Sequence, residues 1–221
     1  MIRNTIIALV LMLIPTGSMA QHWQFKVAGG ISKLVPNTDA VGAWSIGAGY
    51  EWEFDQNWTI TPTLLYTLRG WEMPNEAVVM KDNNGAPLLN PETNLPLMGW
   101  KNTTASAHYV ELPLMLNYYL RLAERKYVVF SMGPYAALGV GGKVKIKGDT
   151  DRQGAERLYY DYSTFSASQT HRFDAGMRIG LGFQFANGIT AACEMSRAFT
   201  QVMPDKENTA IQVVLSYTLK K

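Results

Sequence analysis

Arg172-Phe-Asp-Ala-Gly-Met-Arg-Ile-Gly-Leu-Gly-Phe-Gln-Phe185 alternates without a break. Phe173, Ala175, Met177, Ile179, Leu181, Phe183 and Phe185 form one series, and Arg172, Asp174, Gly176, Arg178, Gly180, Gly182 and Gln184 the other. Side chains of a β-strand point alternately to opposite faces, so this stretch is a strand with one apolar and one polar face. The same alternation recurs along the chain. Trp44, Ile46, Ala48, Tyr50, Trp52 and Phe54 oppose Ser45, Gly47, Gly49, Glu51 and Glu53. Val110, Leu112, Leu114, Leu116, Tyr118 and Leu120 oppose Tyr109, Glu111, Pro113, Met115, Asn117 and Tyr119.

Eight such segments are predicted, at 23–32, 44–55, 57–70, 106–121, 126–142, 171–186, 188–200 and 208–220. Short turns at 55–57, 122–125 and 186–188 alternate with longer polar connections at 33–43, 71–105, 143–170 and 201–207. Short turns at one end and long loops at the other are the rhythm of an up-and-down transmembrane barrel. Phe185 and Ile189 both lie on the apolar face, which favours a three-residue turn with Gly188 left-handed. Within 71–105, Ala77 to Met80 and Pro87 to Leu89 flank Asp82 to Gly85, a pattern that fits either a small hairpin above the barrel or a disordered loop.

Alternation alone does not say which face is enclosed. A water-facing barrel wall would be dense in Lys and Glu. Here the polar face is mostly Gly, Ser, Thr and Ala, which suits a confined interior. Trp23, Trp44, Phe54, Trp58, Tyr118, Phe173, Phe185, Phe199 and Tyr217 gather near strand ends on the apolar face, as interfacial girdles do. The apolar face therefore looks at lipid. The expected fold is all-β, an eight-stranded antiparallel up-and-down transmembrane β-barrel over residues 21–221.

The N-terminus reads as a cleaved secretory signal over residues 1–20, with Arg3, a short apolar run from Ile6 to Ile14, and Ser18-Met19-Ala20 at the cleavage site. The run is too short for a membrane helix, which needs roughly 20 residues. Both termini then belong in the periplasm of a bacterial outer membrane. The chain has 20 basic and 18 acidic side chains, without the basic excess that a nucleic-acid partner would require. Its one cysteine, Cys193, falls on the lipid-facing series and excludes an internal disulfide framework. His22, His108 and His171 lack metal-ligand spacing, and no cofactor motif is present.

The inward charges are the site candidates: Lys26, Glu51, Glu53, Arg69, Glu111, Arg172, Asp174, Arg178 and Glu194. Pairing Phe185 with Ile189 sets Arg178 opposite Ser196, with Glu194 as its diagonal neighbour. A lumenal network of Glu111, Arg178 and Glu194 is predicted, with Arg69 and Asp174 toward the outer mouth. Charges enclosed in a narrow barrel must pair, so the network braces the wall; the competing reading is a polar path or pocket.

Tyr109-Val-Glu-Leu-Pro-Leu-Met-Leu-Asn-Tyr-Tyr-Leu120 resembles the Tyr-x-Glu-[Ile/Leu]-Pro-[Leu/Ile] strand of the PorT-like outer-membrane β-barrel family of Bacteroidota. The glycine-rich run Met132-Gly-Pro-Tyr-Ala-Ala-Leu-Gly-Val-Gly-Gly142 and the 172–185 stretch follow at that family's spacing. The resemblance covers essentially the whole mature chain and implies an outer-membrane barrel. Some members are linked to protein secretion and to maturation of exported proteins, and it supplies no catalytic residues. The C-terminus departs from the usual barrel ending, because Lys220-Lys221 follow Tyr217 and Leu219.

Three functions remain open. The leading one is a non-enzymatic outer-membrane protein, in contact with lipid and engaging envelope or secretion proteins through its loops. The second is a narrow porin-like channel for small solutes or ions. The third is an outer-leaflet lipid-modifying enzyme, for which His171 with Ser166 and Ser168, or His108 with Ser106, are residues of suitable type near the rim.

Overall fold

The structure is a computed structural model that describes residues 21–82, 84–149, 156–166 and 170–219. The expected signal at 1–20 lies outside the described residues. Among the described residues there are nine strands: β1 (Gln21–Val35), β2 (Val41–Asp55), β3 (Trp58–Val79), β4 (Met98–Ala123), β5 (Lys126–Asp149), β6 (Glu156–Ser163), β7 (Phe173–Gln184), β8 (Ile189–Met203) and β9 (Lys206–Leu219). Every pairing is antiparallel. The order β4-β3-β2-β1-β9-β8-β7-β5, with β4 also bonded to β5, closes a ring of eight. Closure removes every sheet edge within the ring, which a lipid environment requires.

The ring has the predicted inside and outside. Val213 is 64% exposed while its neighbour Val214 is 1% exposed. Phe25, Ile46, Leu112, Met132, Ile179 and Leu215 point outward beside Val213. Ser45, Thr61, Thr67, Gln184, Asn208 and Gln212 are buried within. Hydrocarbon accepts the first set without cost, whereas an outward Arg or Lys at mid-depth would cost about 2–4 kcal/mol.

The three short turns lie at one end. Gln56-Asn57 joins Asp55 to its partner Trp58, and Glu124-Arg125 joins Ala123 to Lys126. Phe185 N–H donates to Ile189 O at 2.8 Å across a three-residue turn in which Gly188 has φ of 84°. Glycine suits that left-handed position because it has no Cβ to collide with the backbone.

At the opposite end the structure departs from the sequence reading in three places. The connection 71–105 is a hairpin, but most of it prolongs two barrel strands. β3 and β4 stay paired from Trp71↔Ala105 to Val79↔Met98. Ala77 to Val79 therefore face Met98 to Trp100, while the expected small hairpin survives at the tip, where Leu88 N–H donates to Met80 O at 2.9 Å and Lys81 bridges to Pro87. There the Asp82 carboxylate accepts Asn84 N–H at 2.8 Å and Ala86 N–H at 2.9 Å. Next, the connection 143–170 contains a ninth strand. β5 continues to Asp149, and β6 bonds to its upper part outside the ring. Val144 and Ile146 alternate with Lys143, Lys145 and Lys147, so the period of two runs past Gly142. Finally, the stretch 201–207 is strand on both sides of a two-residue turn, because Met203 pairs with Lys206. Pro204 sets the first turn position and Asp205 takes φ of 59° at the second, the chemistry of a type II turn.

β3, β4, β5 and β6 thus build a four-stranded apron that projects beyond the ring. Asp39 docks on its base by exchanging backbone hydrogen bonds with Glu72 at 2.7 and 3.2 Å. Under the apron lies an apolar cluster of Leu34, Trp71, Ala105, Ala107, Tyr109, Tyr135, Ala137, Val144, Phe165 and Val202. It fills the upper lumen, so the core of this barrel sits in its mouth.

Candidate functional site

The interior is layered from the turn end upward. Glu51 of β2 accepts the Tyr119 hydroxyl at 2.5 Å and the Thr218 hydroxyl at 3.2 Å. Beside them Asn117 donates to Thr59 at 3.0 Å and to Thr61 at 2.9 Å. Above this layer is a small chamber of about 30 Å³, bordered by Lys26, Thr61, Asn117, Ser131 and Glu194.

The charged layer comes next. Lys26 Nζ lies 2.5 Å from Glu194 Oε1, and Arg178 Nη1 lies 3.0 Å from Glu194 Oε2. Arg178 Nη2 also bonds Glu111 Oε1. Glu111 Oε2 then meets Arg69 Nη2 at 2.6 Å, and Arg69 Nη1 meets Asp174 Oδ2 at 2.8 Å. Asn208 Nδ2 donates to Asp174 Oδ2 at 2.8 Å, and the Thr200 hydroxyl donates to Oδ1 at 3.1 Å. Three cations and three carboxylates form one neutral chain across the lumen. Its members come from β1, β3, β4, β7 and β8. Cross-strand geometry on the inward face makes this possible, since Arg178 sits opposite Ser196 and leaves space for Glu194.

All five residues named from the sequence, Glu111, Arg178, Glu194, Arg69 and Asp174, are in this one chain. Lys26 was legible only as an inward charge; its place at the end of the network depends on β1 closing against β9. Asn208, Thr200 and Tyr135 carried no signal, because polar or aromatic residues on an inward parity are common. Tyr135 packs its ring 4.9 Å from the Arg69 guanidinium, a cation–π arrangement. Glu53 and Arg172, also inward by parity, are elsewhere. Glu53 lies 3.8 Å from His22, and Arg172 stands over the Phe165 ring at 5.3 Å while donating to Gly139 O at 3.0 Å.

Phe165 closes the stack from above. Its ring meets Tyr109 edge-on at 5.8 Å. It occupies the space left by Gly139, where a Cβ would lie 2.2 Å from the ring. Thr164 holds the segment by donating its hydroxyl to Ser106 O at 2.6 Å. Ion pairs below and aromatic rings above leave the lumen filled.

The rim residues considered for catalysis are engaged separately. His108 Nδ1 lies 2.8 Å from the Tyr66 hydroxyl, and Ser106 Oγ donates to Lys143 O at 3.3 Å. Ser166 donates to Ser163 O at 2.7 Å, and Ser168 lies outside the described residues.

Residues 19–203 match the family model described as outer membrane protein beta-barrel domain. The chain belongs to that family. Its members are outer-membrane barrels, in keeping with the closed ring and its greasy exterior. No curated protein matches the sequence. Among solved structures, Ail, the attachment invasion locus protein of Yersinia pestis, in complex with the heparin analogue sucrose octasulfate, is 12% identical. The alignment covers 90% of this chain and 97% of that one, with a TM-score of 0.41. Neisserial surface protein A is 7% identical over 93% of this chain and 99% of that one, with a TM-score of 0.40. The translocator domain of the autotransporter NalP from Neisseria meningitidis is 10% identical over 98% and 94%, with a TM-score of 0.28.

Proposed function

We propose that this outer-membrane barrel is a non-enzymatic accessory protein that works through its apron and not through its lumen. The signal is removed, both termini lie in the periplasm, and the apron stands outside the cell. The observation that carries this reading is the filled interior. Arg69, Arg178, Glu111 and Asp174 are at most 1% exposed, and Phe165 seals the layer above them. A conducting path would have to part an interlocked set of buried ion pairs, each costly to separate.

The partner is another envelope or secretion protein, as the PorT-like resemblance suggests. The apron tip supports a protein contact: Val79, Leu89, Leu95 and Met98 leave apolar side chains exposed beyond the ring. Exposed apolar clusters of this kind mark interaction surfaces. Purification from gently solubilised membranes tests the proposal. A partner that co-purifies with the intact chain, and is lost when Leu95 and Met98 become Ser, is expected. Recovery of the barrel always alone refutes it. Planar-bilayer recording is expected to give no unitary conductance, and discrete openings would restore the channel reading.

A further inference from the structure

The outward face of the apron carries a second polar assembly. Its base is fixed by the end of the apolar wall. The rings of Trp44 and Tyr66 lie 5.8 Å apart, and those of Tyr66 and His108 lie 5.7 Å apart. This aromatic row marks the rim of the hydrocarbon zone on β2, β3 and β4. Above it the same face of β4 turns polar, through Ser106, Thr104 and Asn102 to Trp100.

A cleft of about 490 Å³ opens there. Glu72 on β3, Thr104 on β4 and Lys145 on β5 form one row of direct strand partners. Asn102 and Lys147 form the next row. Asn102 organises the β3 side. Its Nδ2 donates to Glu72 Oε1 at 2.8 Å and to Asn75 Oδ1 at 3.0 Å, while Oδ1 accepts the Thr104 hydroxyl at 3.1 Å. Asn75 shares this face because the register slips between Met73 and Glu76, where Pro74 has no N–H for the ladder. Trp100 lines the cleft above them.

Across about 10 Å, two strand spacings, the surface changes from a carboxylate through amides, a hydroxyl and an indole to two ammonium groups. Each part suits a different part of one ligand. Glu72, Asn75 and Asn102 match hydroxyl groups. The indole offers a flat apolar surface to a sugar's C–H face. Lys145 and Lys147 match a phosphate or carboxylate. A bare polyanion would meet Glu72 unfavourably, whereas a sugar carrying its anion on one side would not.

Height selects the source. Thr104 and Trp100 lie four and eight residues beyond His108 on a tilted strand, about 10 to 20 Å above the aromatic rim. The headgroup zone of an ordinary bilayer is only about 5–8 Å deep on each side. A glycerophospholipid headgroup stops short of the cleft, and a lipid extended by sugars reaches it. We infer that the apron cleft binds the anionic saccharide headgroup of an outer-leaflet glycolipid. This assignment rests on the proposed orientation, with the apron outside the cell.

The probe is the phosphorylated core oligosaccharide freed from its lipid, titrated calorimetrically into the full mature chain in detergent. Saturable binding is expected. Trp100→Ala and the pair Lys145→Glu with Lys147→Glu should each weaken it at least about tenfold, while Lys81→Glu on the hairpin tip leaves it unchanged. Unchanged melting temperatures show that the variants are folded. The inference is overturned if no saturable binding occurs, if Lys81→Glu weakens binding equally, or if inorganic phosphate displaces the sugar at equal concentration. Orientation is read separately, by labelling Asn94→Cys in a Cys193→Ala background on intact cells with an impermeant maleimide. Labelling without oligosaccharide binding sinks the cleft and leaves the orientation standing. Binding without labelling overturns the outer-leaflet source.

Discussion

The lumen and the apron are both polar, and they are polar in opposite ways. In the lumen, charges from strands far apart in the chain meet head to head, as in Arg69 with Glu111 and Asp174, at side-chain exposures of 1% or less. On the apron, Lys143 faces Asp161 at 3.2 Å with 67% of its side chain exposed. The first set has given up water and depends on its partners. The second keeps its water and is available to something else. Enclosed charge in this protein holds shape, and exposed charge offers contact.

The comparison breaks most sharply at Glu111, which serves two arginines at once. Glu111→Ala leaves Arg69 and Arg178 each short of a carboxylate in a dry interior. A loss of at least about 3–5 kcal/mol is expected in urea unfolding from lipid vesicles. A loss below 1 kcal/mol would mean that the lumen is wetter than its packing implies. The outer wall comes second. Leu215→Arg, at the middle of the lipid-facing part of β9, should cost about 2–4 kcal/mol in the same assay. Equal stability would remove the assignment of that face to hydrocarbon.

Gly139→Val separates the plug from the ring. The new side chain must displace Phe165, at a cost of about 1–3 kcal/mol. Amide exchange should quicken at Thr164 and Phe165 while β7 to β9 stay protected. Uniformly faster exchange would show that plug and wall unfold together. The smallest effect belongs to the apron, where Lys143→Ala should change stability by no more than about 1 kcal/mol. A change as large as that of Glu111→Ala would erase the distinction between the two regions.

Much of this is legible in the sequence. Strict alternation around Arg178 and Glu111 put the charges inside, and the shared face of Phe185 and Ile189 set the turn at Gly188. The upper end is less legible. Pro204-Asp205 falls within the longer expected loop, although that pair is itself turn chemistry. Lys143, Lys145 and Lys147 read as a polar connection because their charge obscures the alternating Val144 and Ile146. A strand that leaves the membrane keeps its period of two while its outer face changes from apolar to polar, so the apolar signal fades where the strand does not.

Facing, the eight strands of the ring and the inward parity of the charges follow from the order of residues alone, because the pleat of a strand is local and each side chain's face depends only on parity. Which carboxylate each arginine meets, and the capture of Lys26 by Glu194, depends on ring closure and stagger between strands remote in sequence. The seating of Phe165 over Gly139 and the gathering of Glu72, Asn102, Trp100 and Lys145 on one cleft have the same origin. Those contacts join elements whose separation along the chain carries no record of their distance in space.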